Sequence, residues 1–206
     1  DADDLKGPFV SCNSCHNITG VDGEYYKDIT IQSSEVEEDL TDFPMLFTTT
    51  DTDLRTTGNG GHVYSDDGYD IVFADGSGNK LAHKIINYDN TTGEFSAWVK
   101  VPNVSSSVDT TIRMYYGEAD ITETTEDVDE VWDGYIGVWH LEEDPSGGAP
   151  QVKDSTSYRN DGTSGGSMAS DDLVDGKIYK ALDFDGVDDI ILCDTYTMSF
   201  ADEITL

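Results

Sequence analysis

Residues 81–101 read LAHKIINYDNTTGEFSAWVKV and contain two β-rich segments separated by a polar turn. The segments 81–88 and 94–101 combine aliphatic, β-branched and aromatic residues, which favour extended strands. The turn 89–93 is built from Asp, Asn, Thr and Gly, the residues that tolerate tight backbone geometry. This stretch therefore predicts two antiparallel strands joined by a hairpin.

Similar segments lie on both sides of this hairpin. Segments 69–74 and 110–116 have strand composition, and the polar sequence 75–79 predicts another turn. Upstream, residues 25–31 alternate strictly, and Phe43, Met45 and Phe47 repeat that alternation. Short strands at regular spacing predict an all-β protein, with an antiparallel, jelly-roll-like β-sandwich over residues 24–130. The acidic segment 122–130 is expected to form a short helix or a linker.

The N-terminal arm, residues 1–23, carries the sequence Cys12-Asn13-Ser14-Cys15-His16. This spacing is that of covalent c-type haem attachment. Cys12 and Cys15 would add across the two vinyl groups of the haem, and His16 would ligate the iron as proximal ligand. In a chain with three cysteines and four histidines, the pattern arises by chance roughly once in a thousand. We therefore expect haem c on this arm.

Three other interpretations of the two cysteines stay open: a strained disulfide, a thioredoxin-like redox pair, and half of a zinc site. A redox pair would require a βαβ context, which the flanking sequence lacks. A tetrahedral zinc site would require a second ligand pair, and Cys193 is the remaining thiol. We expect Cys193 itself to be a small buried apolar residue of a strand.

A second, distal ligand for the iron has two histidine candidates. His62 follows the Gly-rich sequence 56–61, which we interpret as a long flexible loop, so His62 is the first candidate. His83, in a predicted strand, is the alternative. We expect His140 to serve in packing or hydrogen bonding. A methionine or a residue of another subunit also remains open as the ligand.

The chain is strongly acidic, with a net charge of −32 from 43 acidic and 11 basic residues. Because nucleic-acid binding needs Lys and Arg to neutralise phosphate, nucleic acid is not an expected partner. Carboxylates bind calcium, and Asp183, Asp185, Asp188 and Asp189 form a candidate calcium loop. The sequence lacks the distal Glu and flanking helices of an EF-hand, so a solvated turn is the alternative.

Several segments together resemble known families. They are Leu40-Thr41-Asp42-Phe43-Pro44, Gly68-Tyr69-Asp70-Ile71-Val72-Phe73, Leu81-Ala82-His83-Lys84-Ile85, Ala97-Trp98-Val99-Lys100-Val101-Pro102 and Met114-Tyr115-Tyr116-Gly117. They resemble the domain of unknown function 2341 of bacterial and archaeal surface proteins over residues 24–130. That family does not carry the haem motif as a rule, so the resemblance implies nothing for the arm.

Residues 131–206 resemble the opening strands of a laminin-G-like, concanavalin-type domain. The segments are Val138-Trp139-His140-Leu141, Asp154-Ser155-Thr156, Asn160-Asp161-Gly162-Thr163 and Ala181-Leu182-Asp183-Phe184-Asp185-Gly186-Val187-Asp188-Asp189. A complete domain of this kind needs more residues than these. The resemblance therefore implies a partial second β-sandwich, which is truncated or completed by another subunit.

These observations predict an extracellular or cell-surface monohaem c-type cytochrome that transfers electrons. Haem attachment to thiols takes place outside the cytoplasm, so the chain is expected to be a mature form without its leader. No apolar run is long enough to cross a membrane. A filament of copies of the chain is one open possibility for assembly, and a monomer or a longer precursor is the alternative. No nucleophile elbow or phosphate loop occurs, so we do not expect an enzyme. The alternative is a carbohydrate-binding or adhesive surface module with a disulfide-stapled N-terminus.

Overall fold

A computed structural model describes residues 23–193 of the chain, and the arm with Cys12, Cys15 and His16 lies outside this range. The chain divides into two compact units, with the boundary between Val131 and Trp132. We call the part up to Val131 unit 1 and the part from Trp132 unit 2. The described residues are nearly all β, and their strands pair antiparallel, as the sequence predicts.

Unit 1 contains seven strands and one short helix. They are β1 (Tyr25–Ile31), β2 (Leu40–Thr50), β3 (Val72–Ala74), β4 (Lys80–Leu81), β5 (His83–Asp89), β6 (Glu94–Val104), β7 (Thr110–Tyr116) and α1 (Val128–Val131). Three 3-10 segments, Ser33–Glu35, Thr52–Leu54 and Thr57–Asn59, occur in the connections. The predicted ranges of the first and the seventh strand are confirmed to the residue.

Two antiparallel sheets enclose the core of unit 1. One sheet has the order β1-β7-β3-β4 and the other the order β2-β6-β5. Aromatic rings join them: Phe73 of β3 lies 6.2 Å from Phe95 of β6 and 6.1 Å from Phe47 of β2, between ring centroids. The fully buried rings and aliphatic side chains of both sheets form a single cluster. This arrangement is the expected β-sandwich.

The predicted strand 94–101 extends to Val104, and two other predicted strands are shortened or interrupted, each for a visible reason. The predicted strand 69–74 begins only at Val72, because the Ile71 N–H donates to the Gly68 carbonyl at 3.0 Å in a turn, within which Asp70 is buried. Asp70 accepts hydrogen bonds from the backbone N–H groups of Tyr64, Ser65 and Gly117. The predicted strand 81–88 is interrupted at Ala82, where the chain leaves the first sheet and joins the second.

The described part of unit 2, residues 132–193, contains four short strands. They are β8 (Gly162–Gly165), β9 (Leu173–Asp175), β10 (Lys180–Leu182) and β11 (Ile190–Cys193), with a 3-10 segment at Ser170–Asp172. Within the described residues, β8 pairs with β11 and β9 with β10, in two two-stranded sheets. Such small sheets bury little apolar surface on their own. Cys193, which we predicted to be buried, is exposed at the end of β11.

A buried carboxylate organises the first half of unit 2. Asp154 accepts hydrogen bonds from the backbone N–H groups of Val138, Thr156 and Asn160, and from the Thr156 hydroxyl. Although burial opposes the effect, these hydrogen bonds lower the pKa of Asp154. Hydrogen bonds to the Asp154 carboxylate thus connect three of the segments that carry the laminin-G resemblance. Among the residues that the structure describes, no helix has the length and apolarity to span a membrane.

Candidate functional site

The loop that carries His62 is compact and hydrogen-bonded, and its predicted flexibility stays a prediction. The Thr57 N–H donates to the Val63 carbonyl at 2.9 Å, and the His62 N–H donates to the Asp53 carbonyl at 2.9 Å. The ammonium of Lys27 on β1 pairs with Asp51 and with Asp53, at 2.8 Å for the latter. These contacts fix the loop against β1.

The imidazole of His62 packs against the first residue of β1. Its ring stacks on Tyr25 with 4.0 Å between ring centroids and an angle of 20° between the planes. Tyr25 in turn stacks on Tyr116, at 5.8 Å. The His62 ring is half-buried, so part of it reaches the surface. His62 therefore lies beside the point where the N-terminal arm joins the sandwich.

His83, the alternative distal ligand, lies in the apolar interior. It is 0% exposed and packs edge-on against Phe73, with 5.4 Å between ring centroids. Neither of its ring nitrogens has a hydrogen-bond partner among residues 23–193. Burial, helped by the positive charge of Lys80, lowers the pKa of His83 to about 4, so the ring is neutral at pH 7. A haem cannot approach this position without opening the sandwich, which disfavours His83 as a ligand.

His140 lies in unit 2 and packs against an aromatic ring. Its imidazole and the Trp132 indole are tilted by 55°, with 5.5 Å between ring centroids. The expectation that His140 serves in packing agrees with this contact. His140 and the haem-ligand candidate His62 belong to different units.

Three of the four predicted calcium ligands come together in the turn between β10 and β11. Carboxylate oxygens of Asp185, Asp188 and Asp189 lie within 4.8 Å of one another. Asp183 contributes a backbone N–H to the Asp172 carbonyl instead, at 2.8 Å. Oδ1 of Asp185 accepts backbone N–H groups of the turn, which lowers the pKa of Asp185. Hydrogen bonding within the turn thus accounts for the cluster, and calcium binding stays a prediction.

A polar pocket on the outer face of the first sheet was missed by the sequence analysis. It is lined by Asp28 of β1, by Arg113 and Tyr115 of β7, and by the turn 75–78. The signal was present in principle, since Asp28 and Arg113 are opposite charges on predicted strands. The proximity of these two charges is evident only once the pairing of β1 with β7 is known.

The comparison with protein families gives one match. Residues 67–143 match the family described as Domain of unknown function (DUF2341), which covers less than half of the 206 residues. No curated protein and no solved structure matches the chain.

The match begins within unit 1 and extends past its end. It starts later than the resemblance at residues 24–130 suggested, and it includes residues 138–141, which we had assigned to the laminin-G-like part. Because the family has no known function, this similarity supports the β fold and leaves the chemistry of the site to the residues themselves.

Proposed function

We propose that the protein is an extracellular electron-transfer protein that carries one c-type haem on its N-terminal arm. The β-sandwich of unit 1 would be the folded body to which this haem-bearing arm is attached. The observation that carries the proposal is the sequence Cys12-Asn13-Ser14-Cys15-His16. Its spacing supplies two thiols for the vinyl groups and one imidazole for the iron. The bound haem would supply the one-electron chemistry.

The position of His62 supports a role as the distal ligand. Tyr25 lies nine positions after His16, and an extended segment of this length spans about 30 Å at most. The arm is therefore long enough to bring a haem to the His62 ring. A metal binds an imidazole in the plane of the ring, whereas Tyr25 occupies a face of the ring. The stack would orient His62 and leave its nitrogens available to the iron.

The reduction potential would follow from this ligand pair. Two imidazoles stabilise ferric iron more than an imidazole and a thioether, so a histidine pair lowers the potential relative to histidine and methionine. The acidic surface of the chain, with a net charge of −32, acts in the same direction, because negative charge disfavours adding an electron. We expect a potential low among c-type cytochromes.

Exposed apolar side chains in unit 2 support self-association. Val187 is 86% exposed, Leu192 is 60% exposed and Ile190 is 44% exposed. Large apolar side chains exposed in one short stretch of sequence favour contact with another protein surface. We take a second copy of the chain as that partner, and a contact that does not close on itself would produce a filament. Val187→Asp with Leu192→Asp should then give smaller particles in light scattering, and unchanged particles would remove this part of the proposal.

The haem itself is tested on the purified whole chain. The wild-type protein should show a Soret band and a mass increase of one covalently bound haem. The double variant Cys12→Ser, Cys15→Ser should be colourless, whereas Cys193→Ser, the matched control at the third thiol, should keep the haem. A colourless wild-type protein with a Cys12–Cys15 disulfide would overturn the proposal and favour the alternative, a binding module with a stapled arm.

A further inference from the structure

The polar pocket of unit 1 has the size of a site for a small polar ligand. Its volume is about 270 Å³. Pockets for drug-sized ligands have volumes of about 300–1,000 Å³, so this one suits a smaller molecule such as one sugar ring. Tyr115 and the turn 75–78, with the exposed Ser77, contribute to the lining. Asp28, Thr111, Ile112 and Arg113 complete it.

Arg113 is held in place while part of its guanidinium stays available. Its Nε donates to Asp28 at 2.7 Å, and one Nη donates to the Tyr115 hydroxyl at 3.4 Å. The guanidinium lies 4.2 Å from the centroid of the Tyr26 ring, a cation–π contact. The Arg113 side chain is 39% exposed. Since these two hydrogen bonds use two of its five donors, the others can face a ligand.

The rim of the pocket is also fixed. The Asp75 carboxylate accepts the backbone N–H groups of Ser77 and Asn79 at 2.8 and 2.9 Å, and the Asn79 side-chain amide at 2.8 Å. Although partial burial opposes the effect, these hydrogen bonds lower the pKa of Asp75. Asp75 is therefore ionised, and its oxygens are occupied by the turn. A ligand would meet Ser77, not Asp75.

The charges around the pocket select against anions. Arg113 supplies one positive charge, and the carboxylates of Asp28 and Asp75 supply two negative charges. The pocket is thus negative overall, on a chain with a net charge of −32. The aromatic ring of Tyr115 can stack on the C–H face of a sugar ring. The neighbouring carboxylate, guanidinium and hydroxyl groups supply hydrogen-bond acceptors and donors for the hydroxyl groups of the sugar. We propose that this pocket binds a neutral sugar ring, which stacks on Tyr115 and is hydrogen-bonded by Arg113, Asp28 and Ser77.

The proposal is tested by NMR titration of the whole chain, labelled with ¹⁵N. The probes are methyl β-D-glucopyranoside, methyl β-D-galactopyranoside and methyl α-D-mannopyranoside, with glucuronate as the anionic comparison. At least one neutral glycoside should shift the amide signals of Arg113, Ser77 and Tyr115 in a saturable way. Glucuronate should bind at least about tenfold more weakly than that glycoside, because the local charge is negative.

Two variants locate the binding. Arg113→Ala should weaken the glycoside at least about tenfold, since it removes charged hydrogen-bond donors. Arg55→Ala, a control at an exposed arginine outside the pocket, should leave the affinity unchanged. Ser77→Trp fills the pocket from an exposed turn and should abolish binding with the fold intact. The proposal is overturned if none of the three glycosides shifts these signals, if the shifts map elsewhere, if glucuronate binds as tightly, or if Ser77→Trp binds normally.

Discussion

The buried imidazole of His83 makes the stability of unit 1 sensitive to acid. In the unfolded chain the pKa of a histidine is 6.5, whereas burial lowers the pKa of folded His83 to about 4. Lys80 acts in the same direction, and Asp127 opposes it. Between these two values the unfolded chain binds more protons than the folded one. The free energy of unfolding therefore falls as the pH drops from about 6.5 to about 4, and this contribution is complete above pH 6.5.

The size of the effect follows from the two pKa values. They differ by about 2.5, which corresponds to about 3 kcal/mol of stability lost in total once the pH lies below both values. Between pH 7 and pH 4.5, about 2 kcal/mol of this amount should be lost. The group is 0% exposed, so solvent screening does little to reduce the effect. Carboxylates also titrate near pH 4.5, so the His83 contribution has to be isolated by substitution.

The His83 contribution is isolated by comparing the wild type with the variant His83→Leu in urea unfolding at pH 7 and at pH 4.5, followed by circular dichroism. Leucine keeps an apolar contact with Phe73 and has no proton to gain. From pH 7 to pH 4.5 the variant should lose about 2 kcal/mol less stability than the wild type. Phe73→Leu is the control, because it loosens the same part of the core, identifies the transition of unit 1 and should keep the wild-type pH dependence. The reasoning is refuted if His83→Leu loses as much stability as the wild type over this range.

Three further outcomes test other parts of the molecule. Asp70→Ala leaves three backbone N–H groups without their acceptor and should lower the free energy of unfolding by about 3 kcal/mol or more. An equal loss in the exposed control Asp67→Ala would contradict the stabilising role of the Asp70 carboxylate. His62→Ala should convert a low-spin haem spectrum to high-spin, and an unaltered spectrum would reject His62 as ligand. Calcium should raise the melting temperature more than sodium at matched ionic strength, and Asp188→Asn should remove the difference; equal shifts with both salts would indicate screening alone.

The strands were predictable where local pattern and tertiary structure agree. Residues 25–31 alternate along the sequence, and β1 faces the core on one side and solvent on the other, so its bounds matched. The predicted strand 69–74 was wrong over 69–71, where the Ile71 N–H donates to the Gly68 carbonyl in a turn and the buried Asp70 carboxylate accepts backbone N–H groups from outside the segment. Local composition does not reveal these contacts, since their partners include Gly117, 47 residues away.

The Gly-rich loop shows a second limit of sequence reasoning. Glycine permits flexibility, but it also permits close approach of two backbone segments, and the sequence does not distinguish the two. At Gly61 a Cβ atom would overlap the Arg55 carbonyl, so the residue is required by tight packing. The loop is therefore closely packed in the structure, with His62 beside the base of the arm, and its mobility stays a prediction. The stack on Tyr25 positions the His62 ring.

The polar pocket could not be predicted, because its residues are far apart in the sequence. Asp28 and Arg113 face each other only through the pairing of β1 with β7, and the turn 75–78 adds the rim from a third segment. Cross-strand pairs of opposite charge are visible in a sequence only when the register is known. The same register aligns Tyr26 with Tyr115, which places two aromatic rings beside the guanidinium.

The two proposed sites lie on opposite faces of one strand. Successive side chains of a strand point to opposite sides of the sheet. In β1, Tyr25 belongs to the inward set and packs against the core, where it also holds His62. Asp28 belongs to the outward set and lines the pocket. A haem ligated beside Tyr25 and a sugar bound beside Asp28 would therefore not compete for the same side chains. Electron transfer and attachment to a glycan, which began as alternative interpretations of the sequence, are thus compatible in a single β-sandwich.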